Sequence, residues 1–138
     1  MSSRNVFIDT SGFFAVLIRN DPNHDRAVGQ FRSWREAGRY AFTTDYVADE
    51  TATLLKARGA GQLIASFFRL LESSEVLSFL FVHEERFRKA RDFFLKHDDH
   101  GYSFTDCTSF LLMKELGLHD ALTADEHFEE AGFNGLLV

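Results

Sequence analysis

The stretch Val6-Phe7-Ile8-Asp9-Thr10-Ser11 near the N-terminus decides the fold of this chain. A run of apolar side chains ends abruptly at Asp9, and this pattern predicts a short buried strand over residues 5–9. Thr10 and Ser11 are residue types that cap helices, so we expect a helix over residues 12–20. A buried strand that leads directly into a helix is typical of α/β proteins.

The same alternation of short apolar strands and amphipathic helices continues to the end of the chain. Further strands are predicted over residues 40–43, 75–79, 121–123 and 135–138. Further helices are predicted over residues 24–37, 45–57 (capped by Thr44 or Asp45), 62–72, 83–97, 105–116 and 126–131. Such alternation implies right-handed crossovers and a parallel sheet covered by helices on both faces. The sequence therefore predicts an α/β fold with a central parallel sheet.

Composition limits the number of domains and the kind of core. The chain has 138 residues, the usual size of one domain, and contains no linker or repeat that would divide it. Hydrophobic residues make up 45% of the sequence, which suffices for a core at this length. The 16 Phe residues predict an aromatic core, because each ring can bury a large area. We therefore expect a single domain over residues 1–138.

Simple counts argue against several classes of protein. The one cysteine, Cys107, excludes an intrachain disulfide and a zinc site built from clustered thiolates. The short apolar run that follows residues 1–5 does not resemble a signal peptide. The longest apolar stretch, residues 13–18, is far too short to cross a bilayer. We expect a cytoplasmic protein with no membrane partner.

Four acidic residues stand where an apolar run gives way to a polar one: Asp9, Glu50, Asp106 and Asp125. Asp9 and Asp125 follow predicted strands, while Glu50 and Asp106 fall near the starts of predicted helices. The carboxyl ends of parallel strands meet at one edge of the sheet, where functional crevices form. Carboxylates brought together there repel each other, and a bound divalent cation relieves the repulsion. The pattern predicts a metal site at this edge.

Helical periodicity indicates which of these acids face inward. Asp106 shares a helix face with Phe110 and Met113, so its carboxylate is expected along a buried stripe, where an unpaired charge is costly. Glu50 lies on the same face as Leu54, whereas its neighbour Asp49 points between faces. We expect Glu50 to face inward and Asp49 to be partly exposed. Each acid taken alone could equally be a helix cap or a surface residue.

Other reactive residue types give weaker signals. The six His residues, at positions 24, 83, 97, 100, 119 and 127, show no metal-ligand spacing and are expected on the surface or in loops. Cys107 has no base at a recognisable spacing, so a buried and inert thiol is expected. No glycine-rich phosphate-binding motif is present, which removes support for a nucleotide cofactor.

Charge bears on the substrate class. The net charge is −6, and an acidic protein binds nucleic acid weakly because affinity depends on Lys and Arg neutralising phosphates. The four acids account for −4 of that charge, so nucleic acid is not excluded. The basic residues most suited to contact a polyanion lie on three helices that are otherwise expected to be solvated: Arg32, Arg35 and Arg39; Lys56 and Arg58; and Arg86, Arg88, Lys89, Arg91 and Lys96.

Four segments in order resemble the PIN-domain family, in particular the VapC-type toxins of bacterial and archaeal toxin–antitoxin pairs. They are residues 7–11, 47–51, 103–107 and 122–128, followed by residues 131–133. The resemblance implies a three-layer α/β/α fold and a ribonuclease dependent on Mg²⁺ or Mn²⁺. It assigns the metal-site acids to Asp9, Glu50, Asp106 and Asp125, with supporting polar roles for Thr10, Ser11, Thr105 or Thr123. It also implies an RNA substrate, a cognate antitoxin and a homodimer.

The expected chemistry is hydrolysis of a phosphodiester by two metal ions about 3.5–4 Å apart. In this hypothesis Asp9 and Asp106 hold the main metal, while Asp125 and Glu50 complete a second site or orient the attacking water. The alternative is a catalytically silent PIN-like module that binds a basic partner segment, since Arg pairs well with carboxylates.

Two other phosphate-handling folds are poor matches. A haloacid dehalogenase needs a second Asp two residues after the first, where this chain has Ser11. A receiver domain needs an acidic pair at the first strand, where this chain has Arg4 and Asn5.

Overall fold

A computed structural model describes residues 3–138 of the chain. Within them, five strands form one sheet: β1 (Ser3–Ile8), β2 (Ala41–Thr44), β3 (Leu77–Leu80), β4 (Leu118–Leu122) and β5 (Asn134–Gly135). The α-helices of this part of the chain are α1 (Thr10–Leu17), α2 (His24–Glu36), α3 (Asp45–Ala57), α4 (Ile64–Ser73), α5 (Glu84–Lys96), α6 (Phe104–Leu116) and α7 (Glu126–Glu130). A 3₁₀ turn over Gly61–Leu63 joins α3 to α4.

The sheet is parallel throughout, with the strand order β3-β2-β1-β4-β5. The chain moves outward from β1 to β3, then returns to the other side of β1 to form β4 and β5. Right-handed crossovers in opposite directions place the two groups of connecting helices on opposite faces of the sheet. The predicted α/β fold with a central parallel sheet is confirmed, and its topological switch point lies between β1 and β4.

The core is built largely from phenylalanine, as the composition predicts. Phe7 of β1 stacks with Phe128 of α7 at 6.4 Å between ring centroids, and Phe128 contacts Phe110 of α6 edge to face at 5.0 Å. Phe13 of α1 and Phe67 of α4 form another edge-to-face pair at 5.0 Å. All five rings are essentially inaccessible to solvent. Offset and edge-to-face pairs are the favoured geometries for aromatic rings, so these contacts fix the helices against the sheet.

One glycine allows helix α1 to approach strand β4 closely. A side-chain carbon at Gly12 would clash with the backbone carbonyl of Leu122, the last residue of β4. This carbonyl also accepts a hydrogen bond from the backbone N–H of Asp9 at 3.2 Å. The start of α1 is therefore held directly against the end of β4, which brings residues more than a hundred positions apart into contact.

Helix α1 begins earlier than its sequence predicts. Thr10 and Ser11 do not cap it: the N-cap position belongs to Asp9, whose side chain makes no capping hydrogen bond. The helix starts at Thr10 and ends at Leu17. The hydroxyls of Thr10 and Ser11 are instead bonded to residues distant in the chain, and these tertiary bonds replace the local cap. By contrast, Thr44 caps α3 as expected, accepting a hydrogen bond from the N–H of Val47.

The remaining differences concern the ends of elements. Strand β4 begins at Leu118 rather than residue 121, because the pairing with β1 includes positions with polar side chains such as Asp120. The last strand is only Asn134–Gly135, not residues 135–138. No helix in the described part of the chain is long and apolar enough to cross a lipid bilayer.

Candidate active site

The switch point between β1 and β4 holds the first of the predicted site residues. Asp9 follows β1 directly and Thr123 follows β4 directly. The hydroxyl of Thr123 donates a hydrogen bond to Oδ2 of Asp9 at 3.0 Å, and both side chains are almost completely buried. The carboxylate of Asp9 is thus fixed at the crevice where ligands bind in open α/β sheets.

Glu50 reaches the same crevice from helix α3. Its Oε1 accepts a hydrogen bond from the hydroxyl of Thr10 at 2.6 Å, and the hydroxyl of Thr51 donates to that of Thr10 at 3.3 Å. Glu50 is half-buried and Asp49 is exposed, in agreement with the helical periodicity. Thr10, which directly follows Asp9 in the chain, therefore links Glu50 to the start of α1.

Asp106 and Asp125 lie at the starts of two further helices. Asp106 forms a capping box at the start of α6: its backbone N–H donates to the hydroxyl of Ser103, and its Oδ2 accepts from the N–H of Ser103. Asp125 caps α7 by accepting from the N–H of His127 at 2.9 Å. Its own N–H donates to the hydroxyl of Thr123 at 3.0 Å, so Thr123 connects Asp125 with Asp9.

A cleft of about 230 Å³ opens at this edge of the sheet. Asp9, Glu50 and Asp125 all line it. Asp106 does not line it, but Nδ1 of His127 lies 3.3 Å from Oδ2 of Asp106 and 3.4 Å from Oδ1 of Asp125, which does. The structure thus brings all four predicted acids together, and we call Asp9, Glu50, Asp106 and Asp125 the acidic cluster.

The negative charges of the acidic cluster act on one another. Burial raises the pKa of Asp9 to about 7; the backbone N–H of Thr10 opposes this rise, while the charges of Asp106 and Glu50 add to it. Burial likewise raises the pKa of Asp106, and the charge of Asp125 raises it further against the opposing hydrogen bond from Ser103. Among the described residues, no Lys or Arg forms an ion pair with any of the four acids. The cluster therefore concentrates negative charge without a basic partner of that kind.

The comparisons with known proteins agree with this arrangement. The model of the PIN domain family matches residues 6–134. This chain is a member of the PIN-domain family. Over 128 residues it is 32% identical to the 23S rRNA-specific endonuclease VapC20 of two Mycobacterium tuberculosis strains, covering 93% of this chain and 95% of the relative. The family resemblance of the four sequence segments is confirmed.

Solved structures show the same relationship. The crystal structure of M. tuberculosis VapC20, described as a toxin that cleaves the sarcin–ricin loop, superposes with a TM-score of 0.82 at 29% identity. It covers 94% of this PIN domain and 96% of that chain. The structure of FitAcB from Neisseria gonorrhoeae superposes with a TM-score of 0.63 at 17% identity, covering 94% of both chains, which establishes a shared fold only.

The hydroxyl groups predicted to support the acids fall into two groups. Thr10 and Thr123 bond directly to members of the acidic cluster. Ser11 acts one step away, because its Oγ lies 3.2 Å from the hydroxyl of Thr123 and accepts from the N–H of Ala124. Thr105 is different: within residues 3–138 its side chain makes no hydrogen bond to the cluster, and its backbone carbonyl accepts from two later hydroxyls of α6.

His127 is the site residue that sequence reasoning missed in this PIN domain. The expectation of a surface or loop residue is wrong for it, since it lies half-buried in α7. Its Nδ1 lies 3.3 Å from Oδ2 of Asp106 and 3.4 Å from Oδ1 of Asp125. Its ring also packs edge to face against Tyr102. Asp106 precedes His127 by 21 positions, so no local spacing could reveal the contact.

The donor atoms present are suited to a divalent cation. Carboxylate oxygens are the ligands preferred by hard cations such as Mg²⁺ and Mn²⁺. Asp106, Asp125 and His127 can each direct one donor atom to a common point, since these atoms lie within 4.8 Å of one another. The buried, mutually repelling carboxylates provide the negative charge that such an ion would neutralise. The residues therefore fit the metal that the family implies.

The other reactive groups behave largely as expected. Cys107 is buried, and burial followed by the charge of Asp106 raises the pKa of its thiol to about 11, which keeps it protonated and inert. Half of the ten residues in the basic stretches form ion pairs with acids. Arg39 pairs with Asp120, and four residues of α5 are paired, as Arg86–Glu115, Arg88–Glu84, Lys89–Glu85 and Arg91–Asp92.

Proposed function

We propose that this PIN domain is a ribonuclease that hydrolyses RNA phosphodiester bonds with the help of Mg²⁺ or Mn²⁺, and that it acts as the toxin of a type II toxin–antitoxin pair. The observation that supports this best is the acidic cluster at the switch point of the sheet. Burial and neighbouring negative charge raise the pKa of Asp9 and of Asp106, and none of the four acids forms an ion pair with a Lys or Arg among the described residues. Similarity to VapC20 over nearly the whole chain supports the same activity.

The proposed division of roles is the one predicted from the sequence. Asp9 and Asp106 would hold the main ion, while Asp125 and Glu50 would complete a second site or orient the attacking water. When bound, the metal supplies the positive charge that acidifies a water molecule and stabilises the phosphate during displacement. Thr123 orients Asp9, Thr10 orients Glu50, and the capping box with Ser103 fixes Asp106. These bonds hold the carboxylates in place before substrate arrives, which reduces the reorganisation that the reaction requires.

The relative supports a specific substrate. VapC20 is named as an endonuclease specific for 23S rRNA and described as cleaving the sarcin–ricin loop. We propose the same class of substrate for this chain, namely an exposed loop of ribosomal RNA. We further propose that residues 1–138 form one functional unit in the cytoplasm, that the protein forms a homodimer, and that a cognate antitoxin silences it by placing a basic segment in the acidic cleft.

The test is a cleavage assay on an RNA hairpin containing the sarcin–ricin loop. Wild-type protein is incubated with Mg²⁺, with Mn²⁺ and with EDTA, and the ends of the products are sequenced. We expect one dominant cut that requires metal and is lost in Asp9→Asn. Asp49→Asn provides the matched control, because Asp49 is an exposed acid one position before Glu50. Metal-independent cleavage, or full activity of Asp9→Asn, would contradict the proposal.

The alternative of a silent interaction module gives a different result in the same experiment. Such a protein would cleave no RNA with either metal, yet would bind an arginine-rich peptide in the acidic cleft. Binding of that peptide to wild type but not to Asp125→Asn, without any RNA cleavage, would favour the module over the enzyme.

A further inference from the structure

Arg58 is a positively charged residue within an acidic cleft. It is the C-cap residue of α3, two helical turns after Glu50, and both residues line the cleft at the switch point. The acids that line the cleft are Asp9, Asp21, Glu50 and Asp125. Among the described residues of the lining, Arg58 is the only Lys or Arg. The cleft therefore contains one positive side chain among four acidic ones.

The guanidinium of Arg58 is not neutralised by these acids. No described carboxylate lies within 4.0 Å of it, whereas Arg39, Arg86 and Arg88 each form an ion pair. The guanidinium carbon of Arg58 lies over the aromatic ring of Phe14, 5.0 Å from the ring centroid. The charge is therefore kept beside the acids without being paired to any of them.

Phe14 determines where the guanidinium lies. Phe14 is a buried residue of α1 that also lines the cleft, so Arg58 links the end of α3 to the helix that follows Asp9. A guanidinium held over a ring by cation–π attraction retains its N–H donors for an anion. Arg58 is exposed apart from this contact, and solvent or a ligand can reach those donors. The arrangement resembles a prepared anion site at one side of the cleft.

An RNA strand entering the cleft would meet a repulsive surface. Its phosphates carry negative charge, and the four acids of the cleft oppose their approach. We propose that Arg58 is a substrate-binding residue that holds a phosphate next to the scissile one, through the paired N–H donors of its guanidinium. This inference rests on the proposed ribonuclease function. It identifies which side of the acidic cluster the RNA backbone follows: from the switch point along α3 towards its C-terminal end.

The competing explanation is structural: Arg58 would merely offset the charge of the acids and hold α3 against α1. A structural role predicts lower stability on mutation, with no specific change in RNA affinity. A phosphate contact predicts a rise in KM, a smaller salt dependence of binding, and partial rescue by lysine. Lysine keeps the charge but loses the paired donors.

The kinetic experiment compares wild type with Arg58→Ala and Arg58→Lys on the sarcin–ricin hairpin. Lys56→Ala is the matched control, because it also removes one positive charge. Lys56 is exposed on the last turn of α3 and does not line the cleft. We expect Arg58→Ala to raise KM about tenfold with kcat changed less than about threefold. Arg58→Lys should fall between Arg58→Ala and wild type, and Lys56→Ala should match wild type. An unchanged KM in Arg58→Ala, or an equal rise in Lys56→Ala, would overturn the inference.

The binding experiment separates this inference from the function on which it rests. Affinity for the same hairpin is measured by fluorescence anisotropy over a series of salt concentrations, in the Asp9→Asn background so that no cleavage occurs. Loss of one phosphate contact should reduce the slope of log K against log salt by about 0.7 in Arg58→Ala and leave it unchanged in Lys56→Ala. An unchanged slope in Arg58→Ala would refute the contact. If wild type cleaves no RNA, the proposed function fails, while the slope still decides the role of Arg58.

Discussion

The acidic cluster and helix α5 are both rich in charge, but they hold that charge in opposite ways. On α5, Arg88 pairs with Glu84 and Lys89 with Glu85, one helical turn apart and well exposed to solvent. Such pairs are screened by water and contribute little to stability. In the acidic cluster, the carboxylates are buried or half-buried, and burial together with neighbouring negative charge raises the pKa of Asp9 and of Asp106. Charge that is retained at a cost to stability marks a function, whereas charge that is solvated and paired mainly maintains solubility.

The sharpest test of this contrast is Asp9→Asn. We expect it to lower the rate of RNA cleavage about 1,000-fold, because a metal contributes several kcal/mol to such reactions. The metal-free variant should nevertheless be more stable than wild type, by about 1–3 kcal/mol, because a buried charge has been removed. Cleavage kinetics and urea denaturation in EDTA measure the two effects. Loss of activity together with loss of stability would show that Asp9 has a structural role instead.

The second test is the pH dependence of stability, which the buried Asp9 of the acidic cluster should dominate. The pKa of Asp9 is raised to about 7 in the folded protein from an ordinary value of 3.8, so the folded state binds the proton more tightly. The contribution of Asp9 to the free energy of unfolding is fully present below about pH 4. It decreases as the pH rises towards 7, and it does not change further at higher pH. The metal-free protein should lose on the order of 2–4 kcal/mol from this group over that window.

Urea denaturation in EDTA between about pH 4 and pH 8 measures the expected loss. Asp9→Asn is the control and should show a shallower decline over the same range. Added Mg²⁺ or Mn²⁺ should stabilise wild type more at the higher pH, because the ion competes with the proton for the carboxylate. A decline of equal steepness in both proteins would mean that Asp9 is not the group responsible.

A third test compares neighbouring acids on one helix. Glu50→Gln should lower cleavage by about 10–100-fold, since Glu50 lies in the cleft and accepts a hydrogen bond from Thr10. Asp49→Asn should leave the rate within about twofold, since Asp49 is exposed. Steady-state assays on the same RNA hairpin give both values. Equal losses in the two variants would argue for a general charge effect and against a role specific to Glu50.

The smallest effect is expected on α5. Glu84→Gln breaks the exposed pair with Arg88 and should change the free energy of unfolding by less than about 0.5 kcal/mol, with no change in cleavage. Chemical denaturation and the hairpin assay measure both. A change above about 1 kcal/mol would show that the α5 pairs are structural and would weaken the contrast with the acidic cluster.

The fold and the positions of the four acids were accessible from sequence because each depends on local patterns. A short apolar run such as that before Asp9 predicts a buried strand, and parallel strands place their carboxyl ends together. Glu50 could be distinguished from Asp49 because helical periodicity fixes the relative directions of neighbouring side chains. The ends of elements were less accessible. Thr10 and Ser11, for example, bond to distant partners instead of capping α1.

His127 and Arg58 show what local patterns could not reveal. His127 meets Asp106 because α7 packs near the start of α6, and Arg58 lies in the cleft because Phe14 of α1 holds its guanidinium there. Neither contact follows from spacing along the chain. Both depend on how the helices pack around the sheet. The sequence also left open which of the three basic stretches contacts RNA, because it did not show that Arg86 and Arg91 of α5 are paired with acids.

The sequence by itself determined the order of strands and helices and which acids stand at their ends, because hydrophobic periodicity and backbone geometry act over a few residues. Only the tertiary structure decided how those acids are supported. The bond from Thr123 to Asp9 spans 114 positions, and it forms because β4 pairs directly with β1 in the sheet. The strand order brings such residues together, and burial then gives their charges the mutual influence that water would otherwise screen.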